Sequence, residues 1–370
     1  MNTLQRMTMG GLTAILALLL LHTASQACTS IGLMAEDGAL VYGRTMEWGT
    51  FDLKSRLVVV PRGHVFQSET PDGKPGVRWE AKYGVAAFDA LEKDLLSDGM
   101  NEKGLVVGML YHPGFAQYQS YDPARASSTL SSSMFPNYVL TQFATVDEVR
   151  AGLEKIRVCA VTEPALGKPA PLHLTVMDPS GKAIVIEYLE GKLRVFDNPL
   201  RVLTNSPSFD WHMTNLRNYV NLSAVAWPAK KLDDLTLAPI GGGSGFLGLP
   251  GDFTPPSRFI RAVAYSQTAR KTPDGDETVY EVFRILDNFT LPAGSAEGPG
   301  ADPAKLAGMR SSTLWTCAAD TRNLKLYYHT QHNRRVRVID LKRVDFSSGK
   351  QVRRFPLDRE KRQDMEDVTP

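Results

Sequence analysis

The opening residues set the terms on which the rest of the chain must fold. MNTLQRMTMGGLTAILALLLLHTASQA carries one cation, Arg6, then an apolar run from Gly11 to Leu21, then small and polar residues up to Cys28. That order is the order of a secretory leader. Ser25 and Ala27 stand where a signal peptidase needs small residues, so the cut is expected between Ala27 and Cys28, with residues 1–27 removed. The apolar run is about half the roughly 20 residues needed to span a bilayer as a helix, so no stable membrane anchor is expected. A periplasmic or secreted destination follows, and with it an oxidising compartment. Yet the chain has only three cysteines, Cys28, Cys159 and Cys317. No disulfide framework can hold the body together, which must instead bury a large apolar core. Cys159 and Cys317 could pair; two buried, unpaired thiols are the expectation.

A cysteine directly after a leader also fits a non-enzymatic envelope lipoprotein, anchored through lipid at Cys28. Such processing wants a large aliphatic residue three positions before the cysteine and a small residue next to it. Ser25 and Gln26 depart from both requirements.

After Cys28 the β signals dominate. Residues 28–46 form two apolar-rich segments around Glu36-Asp37-Gly38, a turn tripeptide, and predict a hairpin. Further strands are predicted at 57–60, 104–111, 173–177, 183–188, 192–196, 312–317, 324–329 and 335–341. Helices are fewer. The clearest starts at Thr145, where Glu148 three residues on completes a capping box and apolar residues continue to Val158. Others are predicted at 210–220, 257–268 and 277–287. Antiparallel runs with intervening helices make this an α+β protein rather than one of alternating βαβ units. The glycine-rich stretch 241–251 lacks the Lys-Ser/Thr ending of a phosphate loop and is expected to connect elements or lie near substrate. One domain is expected over 28–346, followed by a charged tail over 347–370.

Composition narrows the function. With 42 Lys+Arg against 40 Asp+Glu the formal charge is +2, and no basic stripe with interleaved aromatics runs along the chain, so nucleic acid is not an expected partner. No histidine pair has metal-ligand spacing, and His329 with His332 reads as structure, so no metal and no cofactor are expected. The chemistry that remains is that of the thiol. A free α-amine on Cys28 has a pKa of about 7.7–8.0 and sits on the residue that carries the thiol, so it can take the thiol proton directly or through one water.

The residues after Cys28 then become informative. C-T-S-I-G with G-R-T-M-E-W, D-G-M-N-E-K-G-L at 98–105, L-T-N-S-P-S-F-D-W-H at 203–212 and G-L-P-G-D-F-T-P-P-S-R-F at 248–259 resemble the choloylglycine hydrolase and penicillin V acylase family. Any one of these motifs would be weak; four in the same order are strong, and they span most of the chain from Cys28 to about Leu341. The resemblance implies a four-layer αββα N-terminal nucleophile hydrolase fold with two stacked, mainly antiparallel sheets. It implies that Cys28 attacks a linear amide to give a thioester, that Arg44 lies beside the thiol, and that Arg258 is a second active-site arginine, with Arg261 its competitor. Asn205 matches an oxyanion donor, and Tyr111 a position whose backbone N–H completes the oxyanion hole. Where the family usually carries an aspartate that holds the α-amine, this chain has Glu47, with Asp52 as fallback. Trp48, Tyr111, Phe115 and Tyr118 are candidates to line an apolar acyl pocket. The tyrosine at 111 and the leader resemble the Gram-negative penicillin V acylase branch, with acyl-homoserine lactones as further candidate substrates. A conjugated bile salt hydrolase is the alternative, and its branch often has asparagine at that position. The partner implied is a small amide with an apolar acyl group, and the assembly a homotetramer.

Overall fold

A computed structural model describes residues 28–297 and 302–370; the leader lies outside the described residues. The strands of its two large sheets are β1 (Thr29–Met34), β2 (Leu40–Glu47), β3 (Arg56–Val60), β4 (Val85–Ala90), β5 (Leu95–Asn101), β6 (Val106–Tyr111), β7 (Leu172–Met177), β8 (Ala183–Leu189), β9 (Lys192–Asp197), β10 (Thr313–Asp320), β11 (Lys325–Thr330), β12 (Arg337–Asp340) and β13 (Arg353–Pro356). Its helices are α1 (Phe135–Gln142), α2 (Val146–Gly152), α3 (Phe209–Asn215), α4 (Pro255–Thr268) and α5 (Gly275–Asp287).

The hairpin expected over 28–46 is formed by β1 and β2, with Thr29 opposite Thr45 and Met34 opposite Leu40. Gly38 takes φ +84°, a left-handed conformation that glycine adopts without a Cβ clash, and Asp37 Oδ1 accepts the Ala39 N–H at 2.9 Å. From this hairpin a five-stranded sheet grows in the order β1-β2-β10-β11-β12. The second sheet has eight strands in the order β9-β8-β7-β6-β5-β4-β3-β13. Neighbours in both are antiparallel.

Because side chains alternate across a strand, a strand buried on both faces must be apolar or paired on both. All eight residues of β2 are buried. One face turns to the other sheet, where Tyr42 and Arg44 reach Asp98 of β5. The opposite face turns to α5, which packs on β2 and β10, while α4 packs on β1. On the far side of the eight-stranded sheet α1 covers β5 and β6. The layers are therefore helix, sheet, sheet, helix, an αββα arrangement of an α+β protein. One core fills the space between the sheets and under α4 and α5, with Tyr42, Phe88, Met100, Phe259 and Trp315 among its fully buried members. A second lies between the eight-stranded sheet and α1 and α2, with Val58, Leu96, Val139 and Val149.

Several elements differ from expectation: β4 and β5 have no predicted counterpart, and the helix expected over 210–220 ends as α-helix at Asn215. The helix capped by Thr145, whose Oγ1 accepts the Glu148 N–H at 3.1 Å, stops at Gly152 instead of Val158. Glycine weakens a helix interior by about 1 kcal/mol relative to alanine, and here a Cβ would lie 2.2 Å from the Phe143 ring, so a turn follows and Arg157–Cys159 leaves as a strand. Helix α1 has no counterpart in the sequence reading, since Pro136 reads as a breaker; at the first turn, proline removes only an N–H that has no helical partner. The tail expected after Phe346 enters the eight-stranded sheet, where β13 pairs with β3 as an exposed edge whose Arg353, Arg354 and Pro356 suit an edge strand. Cys159 and Cys317 are buried and free. No helix among the described residues is long and apolar enough to cross a membrane.

Helix α5 packs tightly on β2 at Gly43. A Cβ there would meet Val282 Cγ1 of α5 at 2.3 Å and Cys317 O at 3.0 Å. Gly43→Ala is expected to lower unfolding free energy by about 1–3 kcal/mol through overpacking, read as an earlier midpoint in urea with an unchanged slope.

Candidate active site

Cys28 lies just before β1 and is buried. The hairpin register sets Ser30 opposite Arg44, so the Arg44 side chain runs back toward the strand's start. Its Nη2 lies 2.9 Å from Cys28 Sγ. A guanidinium only donates, so the sulfur is the acceptor in this contact. Burial opposes the charge on Arg44, but Cys28 and Asp98 outweigh it and hold the guanidinium's pKa above its ordinary value.

Arg44 Nη1 donates to Met109 O at 2.9 Å, and that carbonyl is free for a structural reason. β5 and β6 pair only between Met100↔Val106 and Asp98↔Gly108, then part. In antiparallel pairs, hydrogen-bonded and non-bonded positions alternate. His112 N donates to Pro171 O at 2.8 Å, so the neighbouring pair Tyr111↔Leu172 is of the non-bonded kind, as is Met109↔Leu174. The N–H and C=O of Met109 and Tyr111 therefore point away from β7, into the gap that β5 has left. Arg44 takes the first freed carbonyl, and Asn205 Nδ2 takes the second, Tyr111 O, at 2.8 Å.

Asn205 is the centre of a clamp. Its Oδ1 accepts Cys28 N at 2.9 Å and Arg258 Nη2 at 2.6 Å. Because Arg258 can only donate and the Tyr111 carbonyl can only accept, the two ends of the carboxamide are assigned without ambiguity. One Nδ2 hydrogen is spent on Tyr111 O; the second Nδ2 hydrogen and the Tyr111 N–H remain as two donors on the same side of the strand. Arg258, near the start of α4, also donates to Cys28 O, and to Thr29 Oγ1 at 2.9 Å, while its Nε holds Phe253 O at 2.9 Å. Burial lowers its pKa to about 10 against the pull of Glu47 and Cys28.

Glu47 ends β2 beside this clamp, and its main-chain O lies 3.9 Å from Cys28 Sγ. Its Oε1 accepts Thr313 Oγ1 at 3.1 Å; its Oε2 is buried without a partner. Burial pushes the carboxyl up to about 8, only partly countered by Arg258. In the 370-residue chain Cys28 N is a peptide nitrogen, and its single hydrogen goes to Asn205, not Glu47.

Trp48 and Tyr111 meet edge to face at 5.6 Å and wall a pocket that also contains Cys28, Met46, Leu95, Ser97 and Met109. Leu95 and Ser97 belong to β5, Met109 and Tyr111 to β6, so the pocket is the gap between the parted strands. Phe115 and Tyr118 do not line it: Phe115 is 40% exposed, and the Tyr118 hydroxyl donates to Ala170 O at 2.7 Å. Asp52 is exposed at the surface, where Oδ1 accepts Lys54 N, and Arg261 donates to the Pro250 and Asp252 carbonyls, so neither competes for the site. The 241–251 stretch connects elements and does not reach the pocket.

Sequence reasoning missed Asp98 and Tyr42. Asp98 accepts Tyr42 Oη at 2.6 Å and faces Arg44 at 3.6 Å, and burial pushes its carboxyl up to about 6. Asp98 stands in the D-G-M-N motif, but only strand pairing tells which buried cation it faces. A second grouping, His112, His173 and Glu187, brings nitrogen and oxygen donors within 4.8 Å. The two imidazoles stack at 4.2 Å and 14°, so their in-plane lone pairs run side by side and do not converge on one ion.

Residues 28–354 match the family described as linear amide C-N hydrolases, choloylglycine hydrolase family. A bile salt hydrolase/transferase of Clostridium perfringens is 32% identical over 331 residues, 89% of this chain and 96% of that one. The solved structure of a variant conjugated bile acid hydrolase from the same organism superposes with TM-score 0.79 at 30% identity, covering 92% of this chain and all of that one. Penicillin V acylase from Agrobacterium tumefaciens superposes with TM-score 0.70 at 27% identity, over 88% and 90% of the two chains. Those neighbours fit the N-terminal nucleophile hydrolase arrangement of layers described above. The chain belongs to the linear amide C–N hydrolases of the choloylglycine hydrolase family.

Proposed function

We propose that the chain hydrolyses a linear amide through Cys28, a penicillin V acylase-like activity that extends to acyl-homoserine lactones. The observation that carries this reading is that the thiol held by Arg44 forms one wall of an almost wholly apolar pocket behind Trp48 and Tyr111. Apolar walls of this kind suit a phenoxyacetyl group or a flexible acyl chain. The 32% identity to a bile salt hydrolase/transferase makes conjugated bile acids the second substrate class to be tested.

In the proposed reaction, export to the periplasm or beyond removes residues 1–27 and turns Cys28 N into an α-amine. The amine takes the thiol proton, and Glu47 Oε2, which lacks a partner in the uncut chain, accepts one of the amine's new hydrogens. Sγ attacks the substrate carbonyl, and Asn205 Nδ2 and the Tyr111 N–H donate to the oxyanion. Collapse expels the amine half, which leaves with a proton, and water then cleaves the thioester. Arg44 and Arg258 offset the negative charge that builds on sulfur and oxygen.

The assembly we propose is a homotetramer. Among the described residues, 220–247 expose Val220, Val225, Trp227, Leu235, Ile240 and Leu247 on a segment that carries its own short hairpin, more apolar surface than an isolated chain usually leaves wet.

Three measurements test this reading. Purified protein with its leader removed is expected to release the amine from penicillin V and from acyl-homoserine lactones faster than from glycine- or taurine-conjugated bile acids, and Cys28→Ala to abolish every turnover; faster bile acid hydrolysis would shift the substrate class. Asn205→Ala is expected to lower kcat by about 10²–10³ as one oxyanion donor is lost, checked by steady-state kinetics. Sedimentation is expected to give a tetramer, and Leu235→Asp with Ile240→Asp a smaller species; a monomeric wild type removes the assembly from the proposal.

A further inference from the structure

Behind Asn205 lies a set of buried ionisable groups that the proposed reaction does not use. His173 Nε2 lies 2.9 Å from Thr204 O, and His212 Nε2 lies 2.9 Å from Asn205 O. A carbonyl only accepts, so both Nε2 atoms carry hydrogen, and the carbonyls on either side of the Asn205 side chain are each held by an imidazole donor. His173 Nδ1 faces Glu187 Oε1 at 2.9 Å, a contact that shares one proton between ring and carboxyl. Burial pushes that carboxyl up to about 7 and the His173 ring down to about 3, consistent with a single proton for the pair. Both Glu187 oxygens also accept the Phe209 N–H, at 3.1 and 3.2 Å. Phe209 opens α3, which carries His212. His112 stacks on His173, and His212 stacks on Phe259 of α4, next to Arg258. All four groups are buried, and none lines the pocket.

On the reading that this chain is a thiol amidase, we infer that His173, Glu187 and His212 are positioning residues for Asn205. They fix the 204–205 backbone through its two carbonyls, so that the carboxamide can bridge Cys28 N, Arg258 and Tyr111 O and keep its second N–H free for the oxyanion. The arrangement spans four elements: β7 supplies His173, β8 supplies Glu187, and α3 and α4 supply His212 and its stacking partner. A displacement of about 1 Å in such a group can cost up to about 100-fold in rate. The carbonyl of a residue that carries a catalytic donor is a sensitive place to hold, because rotation of that peptide swings the donor.

The test compares His212→Leu, which removes the N–H at Asn205 O, with His212→Gln, which can restore one. Turnover is measured on an amide that the wild type cleaves and expressed per Cys28 thiol alkylated by iodoacetamide, so that misfolded protein is not counted. We expect His212→Leu to lower kcat about 10–100-fold with KM within about twofold, and His212→Gln to recover most of the loss. Wild-type kcat per thiol in His212→Leu, or equal loss in both variants, overturns the inference. Should His212→Leu not fold, Glu187→Gln and Glu187→Leu repeat the comparison at the other end of the network, and equal kcat in those two overturns it. Should the wild type cleave no amide, the proposed activity fails by itself; the inference is then read from the rate of Cys28 alkylation, which His212→Leu changes and His212→Gln returns toward wild type if it holds.

Discussion

Arg44 is a guanidinium with no exposed surface, enclosed between two sheets. Burying a charge is costly unless it is paired and its hydrogens are accepted. Here they are accepted by Cys28 Sγ before β1, by Thr45 O of β2 and by Met109 O of β6, with the Asp98 carboxylate of β5 at 3.6 Å and the Trp315 ring of β10 at 5.3 Å. Four strands from both sheets, and the residue that leads into a fifth, therefore meet at one cation. The cost of leaving any of those donors unmet ties the separation of the sheets to the position of the thiol. A lysine, with a single compact charge and no planar fork, could not meet this set of partners in their several directions.

The parting of β5 from β6 follows from the same constraint. Had the two strands paired to their ends, the Met109 and Tyr111 carbonyls would have been used in the ladder, and no gap would exist for an acyl group. Gly108 stands where they part, and a Cβ on it would lie 2.1 Å from Tyr42 Oη, the hydroxyl that holds Asp98. The opened ladder leaves two carbonyls without strand partners, and Arg44 and Asn205 satisfy them. The pocket and the seats of the Arg44 guanidinium and the Asn205 carboxamide thus follow from one interrupted strand pair.

Local chemistry was legible in the sequence and long-range register was not. The β1–β2 hairpin announced itself through Glu36-Asp37-Gly38, and Cys28 and Arg44 lie on that one hairpin, but it was motif likeness, not spacing, that put the guanidinium beside the thiol. The Thr145 cap was equally plain, as was α4 after its paired prolines. Asn205 and Arg258 could be named only through motif likeness, since their distances of 177 and 230 residues from Cys28 carry no local signal. The same holds for Asp98 and Tyr42, and for His173 and Glu187, whose meeting depends on how β7 and β8 register. The charged stretch after Phe346 looked like a solvated tail because an edge strand with one face in water has the composition of a tail. Helix α1 was hidden by a proline that a first turn tolerates. Phe115 and Tyr118 sit near Tyr111 in sequence, but the chain leaves the strand after Tyr111, so nearness along the chain did not become nearness to the pocket.

Glu47 shows why a residue can match a site in sequence and still look unfinished in the uncut chain. Its carboxyl is buried with one oxygen unpartnered, and its pKa near 8 lies well above the ordinary 4.5. A carboxyl raised in the folded state is favoured when protonated, so as pH rises from 4.5 to 8 its ionisation weighs against the fold. The Cys28 peptide nitrogen offers nothing to relieve this, because its one hydrogen already lies on Asn205 Oδ1. An α-amine at the same place would bring two more hydrogens and a positive charge, and the free carboxylate oxygen is the acceptor the neighbourhood still has to offer. The proposed cut would therefore do more than expose a base. It would supply the missing partner of a buried acid, and the longer glutamate chain, anchored at its other oxygen by Thr313, would fill the role expected of a shorter aspartate.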